Sequence, residues 1–277
     1  MGGGCDGRAT MKGKVYIVGA GPGDPELLTL KALRVLKTAE VVLHDDLVPV
    51  AILDRTSAGA LRFNVGKRSG RKVISQEEIH QLMISYAWDG YTVVRLHGGD
   101  PLIFGRAGEE IAALGRVGLE FEIIPGITSA LAAAASAQVP LTQRGVSSSV
   151  VFMTGHGSAG KGQAQESMPR VRGNPLASTI VVFMPADFAS LAAELSAAGW
   201  DEQTPCLVFS SVSTPSEQSF LTTLRDLPQV SQPSSPKLLI IGEVVRAGRP
   251  KRLEDFGLIC AELESASCRR DVFAVFG

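Results

Sequence analysis

Short runs of Val, Ile and Leu recur along this chain and alternate with longer stretches whose apolar residues fall three and four positions apart. In the first half, KVYIV, EVVLHDD, LRFNVGK, TVVRL and EFEII read as strands. Residues 26–38 and 106–116 carry a helical period between them. A further helix is marked by Ser75 and Glu78, spaced as a capping box, with Ile79, Leu82, Met83 and Tyr86 on one face and Gly90 as its stop. Short β-branched strands alternating with helices predict a parallel sheet covered on both faces.

The second half opens with an alanine-rich helix near residues 129–137, and strands follow at SVVFMT, TIVVFM, PCLVFS and KLLIIG. Asp187 is placed to cap a helix that ends near Gly199. The expected fold class is therefore α/β, with two α/β domains in series, residues 13–126 and 127–249, and a ligand cleft between them. Residues 1–12 read as a disordered leader and residues 250–277 as a tail of uncertain order. Residues 155–178 are rich in Gly, Ser, Pro and charge and exceed an ordinary connection, which predicts a mobile flap or a disordered loop.

Composition narrows the function classes. A chain of 277 residues with 45% apolar and 20% charged positions has enough material for two cores. Its net charge of −1 supplies no general attraction to nucleic acid or to an anionic membrane. No apolar run approaches the roughly 20 residues of a membrane span, and no secretory signal is evident, so a cytoplasmic location is expected. Cys5, Cys206, Cys260 and Cys268 form no Cys-x-x-Cys pair and are expected as free thiols, with no metal site.

The first strand runs into GAGPGDPELL, a glycine-rich turn of the kind that often holds a nucleotide phosphate. The dinucleotide fingerprint has a third glycine at its sixth position, and here that position is Asp24. A phosphate would sit on free N–H groups at a helix start, but Asp24 reads as the N-cap, Pro25 has no N–H and Glu26 adds negative charge. Either a packing turn or a backbone edge for a phosphate-free ligand remains. Residues 155–162 have P-loop glycine spacing but end in Gly162 where Ser or Thr is required, and no helical period follows.

Two more glycine turns, HGGDPLIFGR and PGITSA, follow strands, and in a parallel sheet all three turns share one edge. Asp45 and Asp46 end a strand on that same edge, as caps or as catalysts. Lys67, Arg68, Arg71 and Lys72 cluster either as a solvated loop or as a patch for an acidic small molecule.

With these stretches together, VYIVGAGPGDPELLTLKAL, VVLHDDLV, VGKRSG, RLHGGDPLIFGRAGEE, PGITSALAAAA, PLTQRG, FMTGH and IIGEVV, the chain resembles the tetrapyrrole methylases from about Lys14 to Val245. Within that family it is most similar to the members that methylate uroporphyrinogen III. The resemblance implies two α/β domains, a homodimer, and S-adenosyl-L-methionine bound in the cleft as methyl donor. It further implies that methylation at C2 and C7 of uroporphyrinogen III gives precorrin-2, for sirohaem or cobalamin. Position by position, it places the donor against Gly21, Pro22, Gly98, Gly99, Asp100, Ile103, Thr128, Ser129, Met184 and Ser213. Asp45 falls on the proposed proton acceptor and Lys67 on the proposed proton donor. The eight carboxylates of the substrate make Arg68, Arg106 and Arg144 candidates for binding it.

Four positions depart from the family pattern: His44 stands for Tyr, His97 for Lys, Pro185 for Gly and Ser213 for Gly. A sister enzyme acting on a later precorrin, or a binding protein without turnover, remains as an alternative. Asp24 weighs against a nicotinamide dehydrogenase.

Overall fold

The computed structural model describes residues 12–66, 74–155, 175, 177–231, 233 and 235–248. The leader, the basic cluster from Lys67 to Lys72, the flap and P-loop-like stretch beyond Gly155, and the tail lie wholly or almost wholly outside them.

Five strands of the first half, β1 (Val15–Gly19), β2 (Val41–His44), β3 (Leu61–Asn64), β4 (Val93–His97) and β5 (Phe121–Ile124), form one sheet in the order β3-β2-β4-β1-β5. All its pairings are parallel, with Val15 beside both Val93 and Phe121 and Val41 beside Val93. Alternation along each strand divides the side chains between two faces. Val15, Ile17, Val41, Leu43 and Val93 pack with Met83 of α3 (Gln76–Trp88) and Leu114 of α4 (Ala107–Arg116). Val18, Val42, Val94 and Leu96 pack on the other side with Leu36 of α1 (Leu30–Thr38) and Ile52 of α2 (Val50–Leu53). The sheet is covered on both faces, as the strand–helix alternation predicts.

In the second half, β6 (Ser149–Thr154), β7 (Ser178–Phe183), β8 (Pro205–Ser210), β9 (Gln218–Thr223) and β10 (Lys237–Ile241) form a mixed sheet in the order β6-β7-β10-β8-β9. Only β6 and β7 run parallel; β10 is antiparallel to β7 and β8, and β9 to β8. Ala133 of α5 (Ser129–Ser136) packs with Val181, Phe183, Phe209 and Ile240 on one face, and Leu195 of α6 (Phe188–Ala197) with Val182, Val208 and Ile241 on the other.

Local signals account for most of these elements. The Ser75 hydroxyl accepts from the Glu78 N–H at 3.1 Å while the Glu78 carboxylate accepts from the Ser75 N–H at 2.7 Å, completing the capping box. Asp187 accepts from the N–H groups of Ala189 and Ser190 at 3.2 and 2.9 Å and starts α6. The helix expected over residues 26–38 is divided. Asp24 caps a 3-10 turn over Pro25–Leu27, and Thr29, in extended conformation, caps α1 through the Ala32 N–H at 3.1 Å. Strand β9 has no counterpart in the expected pattern, because as an edge strand it buries only Ser219 and carries little apolar alternation.

Cys206 is buried and free, with burial pushing its thiol pKa up; the other three cysteines lie outside the described residues. Among the described residues no helix is long and apolar enough to cross a membrane, and no cluster of His, Cys, Asp and Glu is arranged to hold a metal ion.

Candidate active site

The turns after β1, β4 and β5 are tied to one another at the carboxyl edge of the first sheet. Gly99 donates its N–H to the Gly21 carbonyl at 2.7 Å, and Gly21 returns its own to the Gly99 carbonyl at 3.1 Å. Asp100 accepts from the Leu102 N–H at 2.8 Å with one oxygen and from the Gly126 N–H at 2.9 Å with the other. Gly126 lies so close to Gly99 and Gly19 that a Cβ there would stand 2.2 Å from the Gly99 carbonyl oxygen and 2.8 Å from the Gly19 Cα. Any side chain at Gly126 would push the three turns apart. Thr128, buried, and Ser129 follow at the start of α5, bordering Gly99.

The Asp24 carboxylate accepts from the Glu26 N–H at 2.8 Å, so the position an anion would take beside Pro25 is filled by the protein itself. The edge therefore offers backbone polar groups and carboxylates in place of a phosphate cradle. A cationic, phosphate-free ligand fits that chemistry.

Asp45, at the end of β2, is the partly exposed member of a buried charged group. Its Oδ1 lies 2.5 Å from Arg95 Nη2, and its Oδ2 accepts from the Gly98 N–H at 3.3 Å and faces His97 Nδ1 at 3.6 Å. Arg95 Nε donates to Glu110 Oε1 at 3.0 Å, and His97 Nε2 stands 2.8 Å from Glu110 Oε2. Side-chain exposure is 30% for Asp45 but only 5%, 1% and 0% for Arg95, His97 and Glu110. Burial pushes the Glu110 carboxyl up, but the His97 hydrogen bond and the charges of His97 and Arg95 outweigh it and hold the pKa below the usual carboxylate range. An ionised Glu110 only accepts, so the proton on this bond belongs to His97 Nε2. Gln76 of α3 donates to Glu110 Oε1 at 3.2 Å. Asp46 accepts from Asn64 Nδ2 at 3.0 Å.

Arg95 and Glu110 are absent from the sequence-derived site. The signal for them is a charged residue where the period demands an apolar one. Arg95 and His97 follow Val93 at two-residue steps on the α3/α4 face of β4, and Glu110 shares the buried face of α4 with Ala107, Ala113 and Leu114.

The second half brings its own residues to this edge. The Ser213 hydroxyl accepts from the Asp24 N–H at 3.4 Å, and a Cβ on Gly23 would meet the Ser213 carbonyl oxygen at 3.0 Å. Glu217 holds this loop, accepting from the Ser213 N–H at 2.6 Å and from the Ser136 hydroxyl on α5. Ile103 packs against the α5-side core of the second sheet, and the Phe104 ring lies 5.1 Å from that of Phe183 between centroids. Met184, directly after β7, and Ser213 both have left-handed backbones, with φ of 50° and 63°. So do Phe104 and Arg106 in the turn after β4. Strained non-glycine residues gather at functional sites more than elsewhere.

Of the basic candidates, Arg106 and Arg144 lie among the described residues. Arg106 makes a bidentate pair with Glu109, both bonds 2.7 Å, on the surface. Arg144 is exposed in the turn closed by Gln143 and Ser147. Lys67 and Arg68 lie outside the described residues.

Known proteins resemble this chain over most of its length. Residues 14–228 match the family described as Tetrapyrrole (Corrin/Porphyrin) Methylases. The chain is 43% identical over 246 residues to the chloroplastic S-adenosyl-L-methionine-dependent uroporphyrinogen III methyltransferase of Arabidopsis thaliana, covering 87% of this chain and 66% of that protein. It is 43% identical over 240 residues to uroporphyrinogen-III C-methyltransferase of Pseudomonas aeruginosa, covering 85% of this chain and 96% of that one. Several other relatives are siroheme synthases, of which the chain spans about half the length (50% for the one from Photorhabdus laumondii). Among solved structures, uroporphyrin-III C-methyl transferase from Thermus thermophilus, complexed with S-adenyl homocysteine, superposes with a TM-score of 0.72 at 39% identity, covering 85% of this chain and 94% of that one. A phosphate-free glycine edge, a braced aspartate beside it and a match across most of the sequence lead to one assignment: the chain belongs to the tetrapyrrole methylases.

Proposed function

We propose that this chain transfers methyl groups from S-adenosyl-L-methionine to C2 and C7 of uroporphyrinogen III, giving precorrin-2 by way of precorrin-1. The observation that carries the reading is the braced Asp45 on the same sheet edge as the three interlocked glycine turns, 3.3 Å from the N–H of Gly98 in one of them. The relatives named above, acting by their names on uroporphyrinogen III, support the choice of substrate.

The donor supplies an electrophilic sulfonium methyl group. Gly21, Pro22, Gly98, Gly99, Asp100, Ile103, Thr128 and Ser129 border it from the first half, and Met184 and Ser213 from the second. The turns align the methyl group with the pyrrole β-carbon at C2 or C7, and alignment supplies much of the rate. As that carbon takes the methyl group, the sulfur–methyl bond breaks, S-adenosyl homocysteine leaves with the electron pair, and the positive charge passes to the pyrrole ring, where the Asp45 carboxylate stabilises it. Asp45 then accepts the proton whose loss restores conjugation. A carboxylate suffices as the base because a proton on a cationic ring is strongly acidic. Lys67 acts as proton donor, and Arg68, Arg106 and Arg144 meet substrate carboxylates. Arg106 must exchange Glu109 for the substrate to do so.

The test is anaerobic incubation with uroporphyrinogen III, a later precorrin and methyl-labelled donor in parallel. Two labelled methyl groups on uroporphyrinogen III are expected. Label only on the later precorrin would replace the substrate, and donor binding without label in either would remove the activity.

A further inference from the structure

Glu110, Arg95 and His97 are buried, and a site that needed only an aspartate at its rim has no evident use for three ionisable groups behind it. Their charges give the reason. Asp45 and Glu110 carry two negative charges, and Arg95, bonded to both at 2.5 and 3.0 Å, supplies one positive charge. A buried group left with one uncompensated carboxylate is costly. Among the described residues, the other polar groups facing it are the Gly98 N–H on Asp45, the Gln76 amide on Glu110 and the Leu43 and Leu96 carbonyls on Arg95, while His44 turns its Nδ1 to the backbone carbonyl of Asp45 at 3.0 Å.

Among the described residues, His97 is the side chain placed to supply a second cation to both carboxylates. Its Nε2 is engaged by Glu110, while its Nδ1 is buried without a hydrogen-bond partner and points toward Asp45 Oδ2 at 3.6 Å, too long for a bond. A neutral imidazole with its proton on Nε2 would aim a lone pair at that carboxylate. An imidazolium aims an N–H at it. We infer that His97 is a positioning residue for Asp45: as an imidazolium bridging Asp45 and Glu110 it completes the charge balance and fixes the carboxylate against the turn at Gly98. The inference rests on Asp45 being the acceptor in the methyl transfer proposed above. Its consequence is that turnover depends on a side chain that can lose its charge as the pH rises, where a lysine at position 97 would keep it.

The test uses His97→Gln, His97→Lys and Asp45→Asn in the full chain, with kcat and KM for both substrates measured from about pH 6 to 9. Wild type is expected to lose kcat as the pH rises, with KM little changed. His97→Gln is expected to lower kcat by about 10- to 100-fold and to abolish that alkaline decline. His97→Lys is expected to keep kcat within a few-fold of wild type and to flatten the profile, a rescue that burial or shape alone would not give. Where the Gln variant does not fold, the Lys profile decides. Unchanged kcat in His97→Gln, or a Lys variant that keeps the wild-type pH profile or is as slow as the Gln variant, would overturn the inference. Full turnover by Asp45→Asn would instead remove the acceptor assignment beneath it. Loss of turnover in Asp45→Asn beside an unaffected His97→Gln would overturn only the role of His97.

Discussion

The two halves of the molecule bury different chemistry. Every described buried side chain that is His, Arg or Glu, namely His44, His80, Arg95, His97 and Glu110, lies in the first half, behind an all-parallel sheet. The described buried polar groups of the second half are uncharged, Ser and Thr hydroxyls with the Trp200 indole N–H and the Cys206 thiol, around a mixed sheet. What the second half brings to the shared edge is backbone held in unusual conformations, at Met184 and Ser213. The contrast suggests a division of labour, with charge and proton handling in the first half and closure over the donor in the second.

Mutations separate the halves in order of expected effect. Arg95→Met removes the cation shared by Asp45 and Glu110 and is expected to cost about 3–5 kcal/mol of stability by urea unfolding, because two carboxylates are left facing each other. A loss below about 1 kcal/mol would show that water reaches this group. The same group predicts an acid limb. Glu110 has a folded-state pKa below its ordinary 4.5, so its stabilisation is complete above that pH and is lost as the pH falls through the lower folded value. Urea midpoints below pH 4.5 should therefore fall more steeply for wild type than for Glu110→Gln; parallel curves would mean that the group does not stabilise the fold.

Changes in the second half are expected to be smaller and to appear in binding. Glu217→Ala frees the Ser213 loop from α5 and is expected to weaken S-adenosyl homocysteine binding by roughly five-fold in calorimetry, equivalent to about 1 kcal/mol, with kcat preserved. A fall in kcat with unchanged binding would place this loop in the chemistry. Ser213→Gly is expected to have the smallest effect. Glycine relieves the left-handed strain at φ 63°, worth about 1 kcal/mol of added stability, against a 3.4 Å contact to Asp24. Destabilisation would mean that the hydroxyl joins the two halves more strongly than its length implies.

Local features of the sequence announced much of this. The Ser75–Glu78 box, the Asp187 cap and the short Val, Ile and Leu runs are short-range signals, and each appears as expected. The glycine turns were legible as one edge because parallel strands end together. The break between Leu27 and Leu30 was hidden, since Thr29 interrupts an apolar period without disturbing it. Edge strand β9 was hidden because it has little to bury. The charged group behind Asp45 was the deepest omission. Arg95 and His97 lie on a strand and Glu110 on a helix, and only tertiary packing joins them, although each breaks an apolar period at a buried position.

The division of labour is tested most directly by Asp45→Asn beside wild type, with donor affinity by calorimetry and transfer of labelled methyl to uroporphyrinogen III measured on the same samples. The account predicts unchanged affinity and transfer slowed by about 100-fold or more. Equal transfer by both proteins, or loss of donor binding in the variant, would contradict it.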